Sequence, residues 1–524
     1  MIRGVNWVGD AVMTMPAIRA IRRAMPEAAI TLLVKPWVSG LFEKDPNIDR
    51  IMLYGEEFAG INGKLRLALA LRQKDFDEAI LLQNAFDAAL LCFLAGIPTR
   101  IGYARDARGW LLSKPVACHG EDRNMHHSMY YLNLLEKAGI TATAPESGHR
   151  REDPWIYLEL EERLKARKAL AALGLRRPIV GLNPGAAFGP AKRWPAARFR
   201  ELATAIIGEL GGGVLIFGSA KEAPAADEIA RGLEGAVSMA GNTTLRQLAA
   251  FISECDALVS NDSGPMHVGY AVGAPLVALF GSTEPALTGP GVDTVIKAGG
   301  SAVIIKKDLP CSPCFKRECA RAGSLSREGN SAPCMDAITV SEVFSSLKSV
   351  LPARRAVFFD RDGTLCRDAN YLARWEDFYP FGEDLKQLSR LKQAGFKLIG
   401  VTNQSGVNRG VIKEEFVKEV NGYFGREYGF DAFYYCPHHP GEFCSCRKPS
   451  PGMLLNARRD LGIDLKNSFM IGDRGSDVLA ARAAGARAIM LAAEGPGQAK
   501  VETADFTARS LTEAVDYIIE SENA

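Results

Sequence analysis

Short apolar runs alternate along this chain with longer segments of helical period, and this alternation constrains the fold more than any other feature of the sequence. Helical period marks Arg198–Leu210 and Leu245–Cys255, where apolar residues recur every three or four positions. The runs that we interpret as buried strands are Ala29–Val34, Glu78–Leu82, Ile179–Asn183, Val214–Gly218, Ala257–Ser260 and Leu276–Gly281. Strands that alternate with helices predict parallel sheets covered by helices, so the expected fold class is α/β.

The same alternation restarts after residues 349–355, which we interpret as a linker. Further strands are expected at Ala356–Phe359, Lys397–Val401, Ala432–Tyr435 and Phe469–Ile471, and helices at Asp384–Ala394, Glu414–Tyr428 and Gly452–Leu461. A chain of 524 residues is long enough for three or four domains. We expect domains at 1–160, 161–348 and 354–495, and a tail at 496–524 that packs on the third domain. The first boundary is placed near Pro154–Lys168.

The composition excludes several classes of protein. With 47% hydrophobic and 24% charged residues, the chain is neither disordered nor collagen-like, and its net charge of +2 indicates no preference for nucleic acid. The longest apolar runs, such as Ala88–Ile97, are much shorter than the roughly 20 residues that span a bilayer. The N-terminus lacks the apolar region of a signal peptide, so we expect a cytoplasmic location.

Two carboxylates, those of Asp360 and Asp362, follow the predicted strand Ala356–Phe359, and α/β folds place their sites at the carboxyl ends of strands. Their spacing can aim both carboxylates at one small volume. In phosphoryl transfer to a carboxylate, one group attacks phosphorus, while the other protonates the leaving oxygen and then activates water. Three further segments follow. Val401–Gly406 supplies hydroxyl and N–H groups for phosphate oxygens, and Arg447–Pro449 supplies positive charge. Ile471–Asp477 supplies carboxylates that can hold Mg²⁺.

These four motifs, in this order, resemble those of the haloacid dehalogenase superfamily of aspartate-nucleophile phosphatases, over residues 355 to about 493. The resemblance implies that Asp360 is the nucleophile and a Mg²⁺ ligand. It implies that Asp362 is the general acid and base and gives its carbonyl to the metal. Thr402 and Lys448 would hold the transferring phosphoryl group, and Asp473 would complete the Mg²⁺ site.

A dense set of metal donors follows the predicted strand Ala432–Tyr435. The set comprises Cys436, His438, Cys444 and Cys446. Tetrahedral Zn²⁺ suits four such soft or borderline donors, and a closed set of four predicts a structural site. The site would clamp the loop directly before the predicted phosphate-binding residues. His438 fits the ligand spacing better than His439, which we expect in solvent.

This cysteine and histidine loop resembles that of the D-glycero-D-manno-heptose 1,7-bisphosphate phosphatases and that of the related histidinol-phosphate phosphatases. The segment Arg447–Met453 is more similar to the heptose enzymes, in which the arginine corresponding to Arg447 recognises the phosphate that stays on the sugar. The resemblance also implies a substrate site lined by Asp368, Tyr371, Thr402, Asn403, Gln404, Ser405 and Arg474. The short spacing from His438 to Cys444 is typical of the histidinol enzymes, so these motifs leave the substrate open.

Near the N-terminus, Asp10 follows a glycine turn and lies at a predicted helix start, where its simplest role is to cap the helix. The chain begins only a few residues earlier, so we expect the first strand to be short or truncated. Three later segments leave the ends of strands: Asn183–Ala186, Phe217–Glu222 and Asn261–His267. Free N–H groups at a helix start attract a diphosphate. Lys192 can neutralise it, and Glu222 can accept from ribose hydroxyls.

The segments Trp7–Asp10, Asn261–Gly264 and Cys311–Cys314 resemble the ADP-heptose:lipopolysaccharide heptosyltransferases, which are family 9 glycosyltransferases of the GT-B fold, and the type II enzymes rather than type I. The resemblance spans residues 1 to about 348. It implies that Asp10 is the base that takes the proton of the acceptor hydroxyl, in an inverting displacement with ADP as leaving group and no metal. It places these residues in the ADP-heptose site: Lys192, Glu222, Asp262, Ser263, Gly264 and His267.

Two features remain open at this point. The second cysteine cluster, which comprises Cys311, Cys314, Cys319 and Cys334, has an irregular spacing that favours a reduced, metal-free loop over a Zn²⁺ site. His126 and His127 precede an apolar helical segment. They could contact an acceptor, but we expect both to be solvated residues at a helix start.

The two resemblances imply a bifunctional enzyme of lipopolysaccharide inner-core synthesis. The first two domains would transfer heptose from ADP-heptose to a lipid A-core acceptor, with peripheral contact with the inner membrane leaflet, and the third would remove the 7-phosphate of heptose 1,7-bisphosphate. Because a heptosyltransferase and a histidinol phosphatase share no pathway, the fusion favours the heptose substrate. Two alternatives are a C-terminal histidinol-phosphate phosphatase and a GT-B part that binds nucleotide-sugar without catalysis.

Overall fold

The computed structural model describes residues 1–140, 153–290, 302–322, 331–492 and 504–523. They form two compact units, one from most of the residues before Leu351 and one from Leu351 onward, which also includes Glu159–Glu161. The first unit contains two six-stranded sheets and the second contains one, and all strand pairs are parallel. Within the described residues, no helix is both long and apolar enough to span a bilayer.

The first sheet is built by residues up to Lys137. Its strands are β1 (Ile2–Arg3), β2 (Thr31–Val34), β3 (Arg50–Leu53), β4 (Glu78–Leu81), β5 (Thr99–Tyr103) and β6 (Lys114–Val116). Its helices are α1 (Val8–Ala24), α2 (Pro36–Ser39), α3 (Gly60–Arg72), α4 (Phe86–Leu94), α5 (Gly120–Arg123) and α6 (His127–Lys137). The strand order is β3-β2-β1-β4-β5-β6. Strand β1 is short, as expected.

Side chains of β2 alternate between two cores on opposite faces of this sheet. Leu32 and Val34 pack with α1 and α6, whereas Leu33 packs with α3 and α4. Because helices cover both faces, successive residues Leu32, Leu33 and Val34 of β2 are all apolar and buried, as is usual for parallel sheets.

The second sheet has the strand order β12-β11-β10-β7-β8-β9. These strands are β7 (Ile179–Asn183), β8 (Gly213–Ile216), β9 (Ala236–Ser238), β10 (Ala257–Asn261), β11 (Leu276–Phe280) and β12 (Ala302–Lys306). The helices are α7 (Leu160–Ala172), α8 (Ala196–Leu210), α9 (Ala223–Ala230), α10 (Leu245–Glu254), α11 (Gly264–Ala271), α12 (Pro285–Thr288), α13 (Pro333–Asp336) and α14 (Val340–Val350).

The third sheet forms the second unit, in the order β15-β14-β13-β16-β17-β18. Its strands are β13 (Ala356–Phe359), β14 (Lys397–Asn403), β15 (Ala432–Cys436), β16 (Phe469–Gly472), β17 (Arg487–Leu491) and β18 (Phe506–Ala508). Its helices are α15 (Gly382–Leu385), α16 (Leu388–Gln393), α17 (Glu414–Tyr428), α18 (Gly452–Leu461), α19 (Gly475–Ala484) and α20 (Leu511–Asn523). Three-residue 3₁₀ turns occupy Glu56–Phe58, Gly109–Leu111, Pro190–Lys192, Trp375–Asp377, Pro440–Glu442 and Leu465–Asn467.

The predicted parallel α/β class is confirmed, and each expected strand occurs within two residues of its predicted ends. The single helix expected at Asp384–Ala394 is wrong, because the chain forms α15 and α16 there. Between them, Lys386 N–H donates to Glu383 and Gln387 N–H donates to Asp384. These hydrogen bonds join residues three apart, as in a 3₁₀ helix. Leu385, Leu388 and Leu391 are also three residues apart, so this geometry keeps all three buried on one side.

Candidate functional sites

A cavity of about 1700 Å³ lies between the first and second sheets, at the carboxyl ends of their strands. Asp10, in the first turn of α1, lines one side of it. The other side includes the residues that the sequence indicated for nucleotide-sugar binding: Lys192, Glu222, Asp262, Ser263, Gly264 and His267. The strand order of each sheet reverses at this edge, beside β1 and β4 and beside β7 and β10, which is where open α/β sheets bind ligands.

The carboxylate of Asp262, at the end of β10, is the centre of a buried polar network. Its Oδ2 atom accepts hydrogen bonds from Lys192 Nζ at 2.5 Å and Thr283 Oγ1 at 2.6 Å. Beside it, Asn183 donates to the hydroxyl of Ser263 at 2.8 Å. The ammonium group of Lys192 is therefore already balanced by one carboxylate, so it adds less free positive charge to the cavity than the sequence suggested.

Glu222 and the glycine loop after β7 approach each other closely. The side chain of Glu222 accepts from the backbone N–H of Ser219 at 2.8 Å and from its hydroxyl at 2.7 Å. A Cβ atom at Gly185 would lie 2.1 Å from the Glu222 carboxylate. Only glycine fits at this position without displacing that carboxylate.

His267 on α11 is fully enclosed, and burial lowers the pKa of its imidazole to about 4. It contacts the first turn of α1, where a Cβ atom at Gly9 would lie 2.7 Å from the ring. A Cβ atom at Gly264 would likewise lie 2.9 Å from Val8. The glycines of both motifs therefore allow the start of α1 to approach the start of α11, and the histidine between them is neutral near pH 7.

The histidine pair at the start of α6 differs from the expectation of two solvated side chains. His126 is buried, and both of its ring nitrogens have partners. Its Nδ1 accepts from Ser128 N–H at 3.2 Å, and its Nε2 lies 3.0 Å from the carbonyl oxygen of Gly289. Burial lowers the pKa of His126. His127 is half-exposed, and its Nδ1 lies 3.6 Å from Asp10 Oδ1 at the cavity wall.

In the second unit, three carboxylates converge at the carboxyl ends of β13 and β16. One oxygen each of Asp360, Asp473 and Asp477 lies within 4.8 Å of the others. The ammonium group of Lys448 lies 2.8 Å from Asp360 and 2.7 Å from Asp477. Burial raises the pKa of Asp360 to about 7, against the opposing effect of Lys448, and burial with repulsion from Asp477 raises the pKa of Asp473.

The carboxylate of Asp362 lies outside this cluster and belongs to a separate hydrogen-bond network. It accepts from Gln404 Nε2 at 2.6 Å and from the guanidinium of Arg361 at 3.0 Å. Thr402 Oγ1 lies 3.4 Å from it and accepts from Gln404 at 2.8 Å. The two carboxylates of the same motif, Asp360 and Asp362, are therefore in different environments.

The remaining residues predicted for substrate binding surround the same strand ends. The side chain of Asn403 forms two hydrogen bonds with the backbone of Lys448: its Oδ1 accepts from the Lys448 N–H at 3.1 Å, and its Nδ2 donates to the Lys448 carbonyl oxygen at 3.2 Å. Ser405 is buried. Arg474 pairs with Asp368 at 2.6 Å. Exposed Tyr371 lies in the left-handed backbone region, with φ of 86°.

Arg447 has one guanidinium nitrogen that differs from most other polar atoms near the site. Its NH1 atom is buried and has no hydrogen-bond partner among the described residues. A buried N–H group without a partner costs free energy, and an anionic ligand removes that cost.

The structure also brings together Cys436, His438, Cys444 and Cys446. Neighbouring donor atoms lie 3.2 to 3.5 Å apart. The edges of a zinc tetrahedron with bonds of about 2.3 Å measure about 3.8 Å, so the four atoms need only a small expansion to hold Zn²⁺. His439 is directed elsewhere, because its ring accepts from Gly441 N–H and lies 3.1 Å from Arg409.

Comparisons with known proteins assign both units. A sequence profile described as glycosyltransferase family 9 (heptosyltransferase) matches residues 64–324, and one described as HAD-hydrolase-like matches residues 445–515. Lipopolysaccharide heptosyltransferase 2 of Escherichia coli is 35% identical over 298 residues, which cover 55% of this chain and 84% of the relative. D-glycero-beta-D-manno-heptose-1,7-bisphosphate 7-phosphatase of Haemophilus ducreyi is 38% identical over 182 residues, 32% of this chain and 98% of the relative.

The chain belongs to both families, the family 9 glycosyltransferases and the heptose-bisphosphate phosphatases. The solved structure of the E. coli ADP-heptose lipopolysaccharide heptosyltransferase II agrees with the first assignment. It is 30% identical, has a TM-score of 0.56, and covers 67% of this chain and 97% of its own. The family 9 part is thus a GT-B-like pair of sheets, and the phosphatase part follows it in the same chain.

Sequence reasoning missed three residues of these two sites. In the family 9 part, His127 was considered as an acceptor contact but expected in solvent, and its contact with Asp10 was not foreseen. In the phosphatase part, Asp477 belongs to a motif that the sequence analysis named, but it was not assigned to the metal site. Arg409 lies over the ring of Tyr371 at 5.8 Å and contacts His439, and no sequence signal distinguished it from other surface arginines.

The second cysteine cluster lies in the family 9 part. Cys334 is buried, and burial raises its pKa to about 11, while Cys311, Cys314 and Cys319 are partly exposed. Among the residues that the structure describes, no group of metal-ligating side chains includes these four cysteines.

Proposed function

We propose that the chain catalyses two steps of lipopolysaccharide heptose metabolism. The GT-B part would transfer heptose from ADP-heptose to a lipid A-core acceptor, and the phosphatase part would hydrolyse the 7-phosphate of heptose 1,7-bisphosphate. The observation that supports this most strongly is that one chain matches both a heptosyltransferase and a heptose-bisphosphate phosphatase over most of their lengths. These substrates imply a cytoplasmic enzyme that meets its acceptor at the inner leaflet.

In heptosyl transfer, we assign the role of base to Asp10. Its carboxylate would remove the proton of the acceptor hydroxyl as the oxygen bonds to the anomeric carbon and the bond to ADP breaks, so that the configuration inverts. The start of α11, with Ser263 and Gly264, offers free N–H groups to the diphosphate. Lys192, Glu222, Asp262 and His267 would complete the donor site, a role supported by their positions on the cavity wall.

His127 would position this base. With Nδ1 3.6 Å from Asp10 Oδ1, its ring can hold the carboxylate towards the cavity. Its neighbour His126 fixes the start of α6 by contacting Gly289 of the second sheet's domain. His127 needs no contact with substrate for this role.

In phosphate release, Asp360 would attack phosphorus and Asp362 would protonate the leaving sugar oxygen. Asp362 would then take a proton from the water that hydrolyses the aspartyl-phosphate. Thr402 and Lys448 would hold the phosphoryl oxygens. Substrate binding would involve Asp368, Tyr371, Asn403, Gln404, Ser405 and Arg474, and Arg447 would bind the phosphate that remains on the sugar.

The phosphatase site fits Mg²⁺. Asp473 Oδ1 is a buried oxygen without a hydrogen-bond partner among the described residues, and hard oxygen donors suit this ion. Asp360, Asp473 and the carbonyl of Asp362 would hold it, with Asp477 beside them. Bound Mg²⁺ would offset the negative charge that gathers between the nucleophile and the phosphoryl oxygens.

We further propose that Cys436, His438, Cys444 and Cys446 hold a structural Zn²⁺. This proposal is supported by the closeness of the four donor atoms, which all lie within 4.8 Å of one another. The site would order the loop before Arg447 and Lys448. We also propose domain limits at 1–160, 161–348 and 354–495, with 496–524 as the tail.

The experiment that tests this proposal measures phosphate release by the whole chain with Mg²⁺. The substrates are heptose 1,7-bisphosphate and histidinol phosphate. We expect at least a hundredfold preference in kcat/KM for the heptose substrate. Equal turnover, or a preference for histidinol phosphate, would refute the assigned substrate. In parallel, transfer of labelled heptose from ADP-heptose to a lipid A-core acceptor tests the GT-B part against the non-catalytic alternative.

A further inference from the structure

A buried guanidinium group lies behind the predicted general acid of the phosphatase site. Arg361 follows β13 between Asp360 and Asp362, and its backbone N–H donates to Asp360 Oδ1 at 2.7 Å. Its side chain is only 1% exposed. Arginine is almost never fully buried unless it is paired, because a charge without water needs partners that compensate for the lost hydration. The partners of this side chain therefore indicate what it does.

Asp362 supplies the compensating charge. The Nε and Nη2 atoms of Arg361 each donate to Asp362 Oδ1 at 3.1 Å, and Nη2 also lies 3.0 Å from Oδ2. The Sγ atom of Cys366 lies 3.8 Å from Oδ1. Two donors from one planar, rigid group fix the direction of a carboxylate more closely than a single N–H group can. The guanidinium thus orients the Asp362 carboxylate through its first oxygen.

The second oxygen of Asp362 lies on the side of the segment predicted to hold the phosphoryl group. Oδ2 accepts from Gln404 Nε2 at 2.6 Å, and Thr402 Oγ1 lies 3.4 Å from it. The side chain of Asp362 is 22% exposed, whereas that of Arg361 is 1% exposed. The carboxylate can therefore reach a bound substrate, and the guanidinium behind it cannot.

Asn421 of α17 holds the guanidinium from the other side. Its Oδ1 atom accepts a hydrogen bond from Nη1 of Arg361 at 3.3 Å. Asn421 is buried, and the other buried residues of α17 are all apolar: Val417, Val420 and Phe424. Buried polar side chains in proteins are normally hydrogen-bonded, and here the partner is the guanidinium. A chain of contacts thus runs from α17 through Arg361 to Asp362.

We propose that Arg361, held by Asn421, is a positioning residue that directs the Asp362 carboxylate at the leaving oxygen and then at the attacking water. The inference rests on the phosphatase function proposed above and deepens it by naming the groups that orient its general acid. In the first step, Asp362 gives its proton to the sugar oxygen as the bond from that oxygen to phosphorus breaks and the bond from Asp360 to phosphorus forms. In the second step, Asp362 takes a proton from water as the water oxygen bonds to phosphorus and the bond to Asp360 breaks. Arg361 exchanges no proton in either step.

The nature of the leaving group separates this role from a merely structural one. A sugar alkoxide is strongly basic and needs a proton as it leaves, whereas p-nitrophenolate leaves without one. The constant kcat/KM covers the steps up to loss of the leaving group. A misdirected Asp362 should therefore lower kcat/KM for a sugar phosphate and spare that for an aryl phosphate. Damage to the nucleophile or to phosphate binding would lower both.

The test measures phosphate release by the full chain with Mg²⁺ from heptose 1,7-bisphosphate and from p-nitrophenyl phosphate. The variants are Arg361→Met, Arg361→Lys and Asn421→Ala, and the matched control is Arg374→Met, which removes an exposed arginine paired with Asp377. We expect Arg361→Met to lower kcat/KM about thirtyfold for the heptose substrate and less than about threefold for the aryl substrate, because a positioned general acid contributes roughly 100- to 10,000-fold. Arg361→Lys should recover part of the loss. Asn421→Ala should show the same selectivity with a loss of about fivefold, and the control should match the wild type on both substrates.

Equal losses on the two substrates, or no loss on the heptose substrate, would overturn the proposal. If Arg361→Met lacks both activities because it does not fold, Asn421→Ala decides, and an unselective loss or wild-type turnover by that variant would overturn it. The assigned substrate fails separately, if the wild type hydrolyses histidinol phosphate but not heptose 1,7-bisphosphate. The same comparison is then made with histidinol phosphate, whose leaving group is also an alkoxide.

Discussion

Lys448 Nζ lies 2.8 Å from Asp360 Oδ1, and both side chains are at least nine-tenths buried. Among the described residues of the phosphatase site, Lys448 is the cation paired with Asp360, the predicted nucleophile. The same ammonium group also pairs with Asp477. A buried carboxylate without its cation is costly, by about 3–5 kcal/mol when one partner is removed. The ammonium group therefore contributes both to the fold of the site and to its chemistry.

We expect Lys448→Met to reduce kcat for phosphate release at least a hundredfold and to lower the melting temperature of the second unit. Both effects follow because Asp360 and Asp477 would lose their shared counter-charge. Steady-state assays and calorimetry check them. The control is Lys386→Met, which breaks an exposed pair with Glu383 and should cost less than about 1 kcal/mol. Normal turnover by Lys448→Met would exclude the assigned role.

We expect His127→Ala to lower kcat for heptosyl transfer about tenfold without changing KM for ADP-heptose, because the ring positions Asp10 rather than binding the donor. His127→Asn should restore most of the loss, since its amide nitrogen can occupy the place of Nδ1, whereas His127→Gln should not. Kinetics at saturating acceptor separate the two constants. If the three variants match the wild type, His127 has no positioning role.

We expect about one Zn²⁺ per chain by atomic absorption, and none in Cys444→Ser. Loss of the metal should reduce phosphate release at least tenfold while heptosyl transfer is unchanged, because the cluster lies directly before Arg447. Cys118→Ser, which alters a partly exposed cysteine outside the cluster, serves as the control. A metal-free wild type with full phosphatase activity would contradict the structural role of zinc.

The stability of the GT-B part should fall in acid because of His267. Burial lowers its pKa to about 4 in the folded chain, whereas an unfolded imidazole takes up a proton near pH 6.5. The stabilisation from the neutral form is therefore complete above about pH 6.5 and is lost between about 6.5 and 4, by up to roughly 3 kcal/mol.

His267→Gln should have a flatter dependence of stability on pH over this interval. Urea unfolding followed by tryptophan fluorescence reports mainly on this part, since five of the six tryptophans precede residue 351. Other buried groups, such as His126 and Asp45, also titrate. They are present in both the wild type and His267→Gln, so their effects cancel when the two stability curves are subtracted. An unchanged slope in the variant would show that His267 is not the responsible group.

The sequence predicted those site residues that follow strand ends directly. Asp262, Asp360 and Asp473 each lie just beyond a strand, and Asp10 lies in the first turn of the helix that follows β1. Parallel strands bring their carboxyl ends to one edge whatever the detailed packing. The cluster of Cys436, His438, Cys444 and Cys446 was predictable for a different reason: these residues are close in the chain, so a loop can gather them without tertiary information.

Contacts that depend on packing between distant elements were not predictable. His127 meets Asp10 only because α6 packs against α1, and His126 is buried only because Gly289 approaches from the other sheet's domain. The break between α15 and α16 was not predictable either. Leu385, Leu388 and Leu391 are buried at a spacing of three residues, which fits both a 3₁₀ turn and an α-helix.

The central claim, that one chain carries two independent catalytic sites, is tested most directly by a pair of amide substitutions assayed for both activities. We predict that Asp360→Asn abolishes phosphate release from heptose 1,7-bisphosphate and leaves heptosyl transfer at the wild-type rate, and that Asp10→Asn does the reverse. Retention by either variant of the activity assigned to its site, or absence of one of the two activities from the wild type, would contradict the assignment of two independent sites.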